Sequence, residues 1–448
     1  MPFLSTLFRL LDTCAVRYCV LHSWGMLPEE LPSDLDIAVH PEDRQGFSAV
    51  LRELTAAGYC PVQCFNYLVD AYYFIFVWFD GTQLRSLALD TTFDHWRSGL
   101  RSLRGEEMVE GRVRLGTFWI ASPEVEFTYL LAKRTWKGAA SASQLSRLQF
   151  LANSLGRDAA ERLAGRVFLG QARRRVVSAC LAGSFDKLLP KIDVQPWLTG
   201  AARRPVDLAR FLLRESLRMV RRWFEPTGLF LVILGPDGAG KTTLVERLRQ
   251  ELGPCFRRQR VFHWRPRVIA PRRNSGAFTT PHQKPPRGTL TSCLVLLGVA
   301  LDHWLGYISA IRPFLARSGF VIFDRYYQDI LVDPLRYRYG GPSWLAKALS
   351  RLIPFPDLPF LVLDAEEKTI LARKREVSPQ ELQRQRSRYR RLTDEARQAV
   401  LIGTEDGVEA TVSHVSQWVA VYLALRFRRR HARWLKGLPL QGKERSAE

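Results

Sequence analysis

Short apolar runs separated by Gly, Pro and charged clusters recur along this chain, and their period changes from region to region. Phe230 to Leu234 is a continuous apolar run too short for a helix, which predicts a buried strand. Leu244 to Leu252 then places apolar residues at helical spacing. Gly319 to Phe323, with FVIF, predicts a second buried strand, and PFPDLPFLVLD from Phe355 to Asp364 a third. VFHWRPRV adds a short apolar stretch ahead of Arg265. Near the start, YCVLHSWGMLPEELPSDLDIAVH reads as strand, Gly/Pro-containing loop, then a strand that alternates. Asp34 and Asp36 fall on one face of it and Leu35, Ile37 and Val39 on the other. FIFVWFDG turns at Asp80-Gly81 into TQLRSLALD, a hairpin that would carry Asp90 towards the aspartate pair. From about Ser141 to Glu225 the pattern is mostly helical. It ends in PVDLARFLLRESLRMVRRWFE, where Asp207, Arg210, Arg214, Arg218, Arg221 and Glu225 form one stripe and Leu208, Leu212, Met219 and Trp223 lie opposite. A core-packed connecting helix is the reading preferred for this segment, with an interfacial membrane helix as the alternative.

These elements predict an α/β protein: a smaller α+β domain over 1–140, a helical connector over 141–227, a parallel sheet with helices on both faces over 228–436, and a polar tail over 437–448. A length of 448 residues accommodates two or three cores of ordinary size, and 46% hydrophobic content argues against disorder.

The turn after Leu234 matches G-x-x-x-x-G-K-[ST], running Gly235, Pro236, Asp237, Gly238, Ala239, Gly240, Lys241, Thr242, with Thr243 next. Between a strand and a helix, such a loop turns successive N–H groups and the positive end of the helix towards phosphate oxygens. Lys241 is expected on the β- and γ-phosphates of ATP, and the Thr242 hydroxyl on Mg²⁺. Asp324, at the carboxyl end of its strand, is the second expected Mg²⁺ ligand. Arg325 and Arg265 offer planar forks for a phosphorylated acceptor. The segment LARKREVSPQELQRQRSRYRRL is dense in guanidinium groups. Arg373 and Arg375 are singled out as a cationic lid, and the remaining arginines read as a solvated helix.

GPDGAGKTT, FDRYY, PDLPFLVLD and the arginine-rich segment together make the chain from about Gly228 onward resemble the thymidylate kinase family of P-loop kinases. The resemblance implies acceptor contacts from Asp237, Arg265, Arg325 and Tyr326, catalytic roles for Lys241, Asp324 and Arg325, and a mobile lid around Arg373 to Arg375. Two departures stand out. Leu234 occupies the position where the family usually carries Glu, and YQDILVDPLRYRYGG replaces the Ala-Tyr-Gln segment that helps read thymine. Over about the first 140 residues the chain resembles the nucleotidyltransferase fold of the polymerase-beta type, with Ser23-Trp24-Gly25 in place of Gly-Ser or Gly-Gly. That resemblance implies metal binding by Asp34, Asp36 and Asp90. Lys133 and Lys137, on the helix that follows, would meet nucleotide phosphates or be surface charges.

The 66 Lys and Arg against 44 Asp and Glu give a net charge of +22, concentrated in clusters that fit an anionic membrane surface or nucleic acid as partner. Seven cysteines without paired metal spacing point to reduced thiols. CLVLLGVALDHWLGY, broken by Asp302 and His303, and WVAVYLAL both look too short to span a membrane. The sequence thus predicts a cytoplasmic, ATP- and Mg²⁺-dependent kinase of a nucleoside monophosphate or similar phosphorylated acceptor, with peripheral membrane association and homodimerisation as options. The alternatives are nucleotidyl transfer by the N-terminal region and a nucleotide-gated scaffold at a membrane surface.

Overall fold

The computed structural model describes residues 2–31, 34–68, 70–81, 83–97, 99–192, 197–198, 201–202, 205–269, 284–373, 378–395 and 399–435. The chain divides into two compact units. The first takes Met1–Trp78, Ser86–Arg218 and Leu423–Glu448, and the second Phe79–Arg85 and Met219–Tyr422.

The first unit is built on strands β1 (Tyr18–Val20), β2 (Leu35–Val39), β3 (Cys60–Leu68), β4 (Ala71–Asp80), β5 (Gln83–Thr92), β8 (Val113–Leu115) and β9 (Phe118–Ile120), in the order β3-β4-β5-β2-β1-β9-β8. A separate pair, β6 (His95–Arg97) and β7 (Leu100–Leu103), lies outside that sheet. The alternation along β2 divides its residues as the pattern predicts, but neither face is open to water. Leu35, Ile37 and Val39 pack into a core with the helix Pro2–Thr13, while Ala38 on the other side joins Met108, Val109, Val125 and Tyr129. β2 is central in its sheet and covered on both sides. The helix Pro123–Lys137 supplies part of that cover. Its ends are specified locally, since Ser122 accepts the Val125 N–H at 3.4 Å, Pro123 opens the first turn, and Gly138 with φ 66° closes the last.

Two boundaries differ from the sequence reading. The helices Ala142–Leu155, Arg157–Ala164 and Gly170–Leu181 share one apolar cluster with the helix Pro123–Lys137 and belong to the first unit. The end of the helix Val408–Arg430, from Leu423, also belongs there and carries Phe427 into the first core, and the short helix Ala432–Leu435 adds Trp434. Neither contact follows from local periodicity.

The second unit holds a wholly parallel sheet of β10 (Leu229–Leu234), β11 (Arg258–His263), β12 (Gly319–Asp324), β13 (Phe360–Asp364) and β14 (Ala399–Gly403), ordered β11-β12-β10-β13-β14. β10 is the first strand of this sheet and sits in its middle, with β11 and β12 on one side and β13 and β14 on the other, so the chain changes sides after β12. The crevice at the carboxyl end of β10 is where such sheets accept ligands. The helical run Thr289–Ala316 is, by length and composition alone, long and apolar enough to cross a membrane, and one third (33%) of its apolar 18-residue window is buried. This corrects the expectation that Asp302 and His303 interrupt it. Both lie within the helix and are buried, and the Asp302 carboxylate accepts the N–H groups of Arg267, Val268 and Ile269 at 2.7 to 2.9 Å.

Trp434 stacks or meets edge-on the rings of Phe47, Tyr72, Phe74 and Phe93. Trp434→Ala is expected to destabilise the first unit by roughly 3–5 kcal/mol, read as a lowered midpoint in urea unfolding followed by near-UV circular dichroism.

Candidate active site

The sequence dictates an unusual backbone between β10 and the helix Lys241–Leu252. Gly235, Gly238 and Gly240 take φ of 138°, 90° and 92°, where a side chain would be strained. A Cβ on Gly235 would also lie 2.6 Å from the Leu363 carbonyl oxygen of β13, so the loop is pressed against the neighbouring strand. The helix starts at Lys241, and Thr242 and Thr243 are exposed in its first turn. Lys241 is buried, and its ammonium donates to the carbonyls of Gly235 and Pro236 at 2.8 and 2.7 Å, 3.5 Å from Asp237. Burial, followed by the nearby Arg325, pulls its pKa down to about 8 against the pull of Asp237, Asp324 and Asp329.

Asp237 is the hub of the loop. It accepts from Arg325 and, at 2.5 Å, from Arg336. Arg325 follows Asp324 at the end of β12 with φ 72°, and its own N–H donates to the Ile233 carbonyl of β10 at 3.0 Å. Burial by itself would lower the pKa of this guanidinium. Asp329, Tyr337 and Asp237 outweigh burial and hold it firmly charged. Asp329 is itself fully enclosed, 3.4 Å from Arg325 and accepting from the Tyr389 hydroxyl at 2.8 Å, and burial raises its pKa despite Arg325.

Asp324 faces the same crevice. Burial pushes its pKa up, but His263, Lys241 and Arg325 together bring it below the ordinary carboxylate value. His263 Nδ1 is 3.6 Å from Oδ2, while Oδ1 is buried and without a hydrogen-bond partner among the described residues. A charged carboxylate with one dry, unsatisfied oxygen fits a divalent cation. Thr242, the other expected ligand, stands at the start of the adjoining helix.

Arg265 lines a cavity of about 520 Å³ together with His263, Trp264, Arg325, Arg336 and Tyr337, among others. The structure thus brings Asp237, Arg265 and Arg325 to one place. Tyr326 is not among them, which corrects its assignment as an acceptor contact. Its ring is 1% exposed, packs on Phe230 and Phe323, and its hydroxyl donates to the Pro354 carbonyl at 2.6 Å. Arg325 takes the backbone bend that reaches the cavity, and the next residue turns back into the core.

Of the two lid residues, Arg373 is exposed, with a guanidinium nitrogen 3.9 Å from where a side chain on Gly240 would begin, and Arg375 lies outside the described residues. The solvated-helix reading of the other arginines needs correction in part. Arg386 and Arg390 both grip Asp364 at 2.7 Å at the end of β13, and Arg388 donates to the Val332 carbonyl at 2.7 Å. Sequence reasoning missed Arg336, Asp329 and Asp364. Asp364 follows the pattern that marked Asp324, a carboxylate at a strand's carboxyl end, whereas Asp329, which opens the short helix Asp329–Val332, and Arg336 carry no such signal.

In the first unit, Asp34, Asp36 and Asp90 do gather, with ligand oxygens within 4.8 Å of one another, because Asp36 and Asp90 stand opposite in the parallel pair β2 and β5. Asp36 is already engaged. Lys133 contacts Oδ1 at 2.5 Å, Tyr129 donates to the same oxygen at 2.7 Å, and His22 Nε2 is 2.8 Å from Oδ2. Burial would raise this carboxyl, but Lys133 and His22 overcome it and keep it well below its ordinary value. Lys133 therefore serves a buried ion pair, while Lys137 is exposed.

The low pKa of Lys241 has a consequence for triphosphate binding. The ammonium is present below about 8 and is lost above it, so affinity for a polyphosphate should be full at neutral pH and fall as pH rises through that value. Isothermal titration with ADP across that range should show this loss in the wild type and a flatter profile in Lys241→Ala.

No family model matches the chain. A stretch of 154 residues is 32% identical to the thymidylate kinase of Xanthomonas oryzae pv. oryzae, covering 33% of this chain and 61% of that protein. The thymidylate kinase of Xanthomonas euvesicatoria pv. vesicatoria matches at 32% over 152 residues, 62% of its length. The chain thus spans about three fifths of the length of these curated relatives. A solved thymidylate kinase from Candida albicans matches at 18% identity over 44% of this chain and 93% of its own, with a TM-score of 0.33, too slight a likeness to bear weight. About one third of this chain is therefore similar in sequence to thymidylate kinases.

Proposed function

We propose that the second unit transfers the γ-phosphoryl group of ATP to the phosphate of a nucleoside monophosphate or a similar small phosphorylated acceptor. The observation that carries this reading is the convergence of the glycine loop, Lys241, Asp324 and a cation-lined cavity at the carboxyl edge of one parallel sheet. The similarity to thymidylate kinases supports the same class of reaction. Because YQDILVDPLRYRYGG differs from the thymine-reading segment of that family, the reading names the acceptor by its phosphate and not by its base.

In this reading the triphosphate lies along the loop N–H groups, and Lys241 exchanges the Gly235 and Pro236 carbonyls for phosphate oxygens. Arg325 and Arg265 hold the acceptor phosphate in line, while Arg373, beside Gly240, neutralises charge from the solvent side. Mg²⁺, held by Thr242 and Asp324, would offset charge between the β- and γ-phosphates. Asp237 keeps Arg325 and Arg336 in position, so the acceptor meets cations that are already ordered.

Incubation of the protein with γ-labelled ATP, Mg²⁺ and a panel of nucleoside monophosphates should place label on a diphosphate product. Lys241→Ala and Asp324→Asn should each lower turnover by at least about a hundredfold with circular dichroism unchanged. Wild-type turnover in a folded Lys241→Ala protein would sink the assignment.

A second reading concerns the first unit, as a nucleotidyltransferase-like domain that binds metal through Asp34, Asp36 and Asp90. Their proximity favours it, and the ammonium of Lys133 on Asp36 weighs against it. Calorimetric titration with Mn²⁺ decides. Binding abolished by Asp90→Asn supports a metal site, and no binding to the wild-type first-unit carboxylates removes it.

A further inference from the structure

The cavity beside Arg325 carries more positive charge than a single phosphate requires. Resting on the reading above, in which this cavity receives the acceptor, we infer that the acceptor bears a second anionic group besides the phosphate that is phosphorylated. The class is a small molecule with two separated anionic groups, of which a nucleoside bisphosphate is the representative.

Arg325 and Arg336 share Asp237, and Arg265 lies 3.9 Å from Asp302. In the reading above, these are the cavity-lining cations that the transferred phosphate would meet. The same cavity is also lined by Arg267, Lys284, Arg287 and Arg338, and among the described residues no carboxylate lines it.

Arg287 and Arg338 are the second cationic group. They are tied together through the backbone, the Arg287 N–H donating to the Arg338 carbonyl at 3.0 Å. The hydrogen bonds of their guanidinium groups go to carbonyl oxygens: Arg287 Nη1 to Tyr337 at 2.9 Å and Arg338 Nε to Pro285 at 3.1 Å. Carbonyls orient a guanidinium without cancelling its charge, so both cations arrive at the cavity fixed in direction and uncompensated by these partners. Burial, and then Arg338, draw the Arg287 guanidinium below its ordinary pKa, as expected for like charges held together.

Backbone conformation gives independent support. Among the described residues eight non-glycine positions have positive φ, and four of them, Trp264 (67°), Arg267 (62°), Arg325 (72°) and Arg338 (55°), line this one cavity. Such conformations persist where surrounding structure over-determines them, and they cluster at sites that need groups aimed in fixed directions. Two residues that line the same cavity, Trp264 and Tyr337, stack with ring centroids 4.6 Å apart and planes at 27°, an apolar wall suited to a ring that links two charged ends. A cavity of about 520 Å³ is of the size of a small-molecule site.

The test uses the full-length protein loaded with ADP and Mg²⁺, titrated calorimetrically with thymidine 5′-monophosphate and with thymidine 3′,5′-bisphosphate. The bisphosphate is expected to bind roughly tenfold or more tightly, with a steeper loss of affinity in salt. Arg338→Gln and Arg287→Gln, each checked for folding by circular dichroism, should weaken the bisphosphate several-fold more than the monophosphate. Equal affinity for the two probes, or variants that weaken both alike, would overturn the inference. A parallel assay with γ-labelled ATP separates it from the kinase reading. Preference for the bisphosphate without transfer to either probe overturns the kinase reading and leaves the two-anion site standing, transfer to the monophosphate without preference overturns the two-anion site alone, and no binding of either probe overturns both.

Discussion

A buried guanidinium must find its counter-charge inside the protein, and the way Arg325 does so organises the second unit. Arg325 is 6% exposed and held with positive φ, and its partners are Asp329 behind it and Asp237 across the crevice. Asp237 belongs to the glycine loop and also takes Arg336, which belongs to the segment after β12. One carboxylate therefore ties the glycine loop to two points on the segment after β12, 88 and 99 residues further along the chain. Removing one partner of such a set strands a charge in low dielectric, which costs about 3–5 kcal/mol. The loop, the strand end and the cavity wall are thereby coupled energetically. Lys241, resting on two loop carbonyls 3.5 Å from the same Asp237, is poised within this set without being locked by a full ion pair.

Strand order explains why these residues meet at one edge. With β10 between β12 and β13, the three carboxyl ends lie side by side, and each delivers chemistry: the glycine loop, Asp324 and Asp364. The two aspartates differ in what satisfies them. Asp364 is saturated by Arg386 and Arg390, which pins the arginine-rich helix against β13. Among the described residues, Asp324 keeps one buried oxygen without a hydrogen bond. The first acts as an anchor, and the second has the character of a cation ligand.

The same contrast applies in the first unit. Asp36 sits opposite Asp90 as a metal-binding pair would, yet its charge is met by Lys133, its oxygens by Tyr129 and His22, and its surroundings are closed by the core. Proximity of carboxylates alone does not distinguish a metal site from a buried ion pair. What distinguishes them is whether a protein cation already stands among the oxygens, and that is decided by a helix almost a hundred residues further along the chain.

Much of this was legible in the sequence because it is local. The glycine loop needs particular dihedrals, which only Gly-rich sequence permits, and its flanking strand and helix follow from adjacent apolar patterns. Asp324 and Arg325 were readable because a polar pair ending an apolar run must emerge at a strand's edge. Tyr326, one residue further, was misread for the same reason: adjacency in sequence does not tell which way a side chain turns after the strand ends, and here it turns into the core. Arg336, Arg287 and Arg338 gave no local signal, since an arginine in an irregular segment acquires direction only from what it packs against. Likewise Asp302 and His303 looked like helix interruptions until the backbone of 267–269 supplied the hydrogen bonds that let an aspartate be buried. The sequence by itself determined the loop chemistry and the elements whose periodicity is short-ranged. Tertiary structure alone decided which charges are spent on one another and which remain to meet a ligand, because charge compensation depends on distances between residues that the chain brings together only on folding.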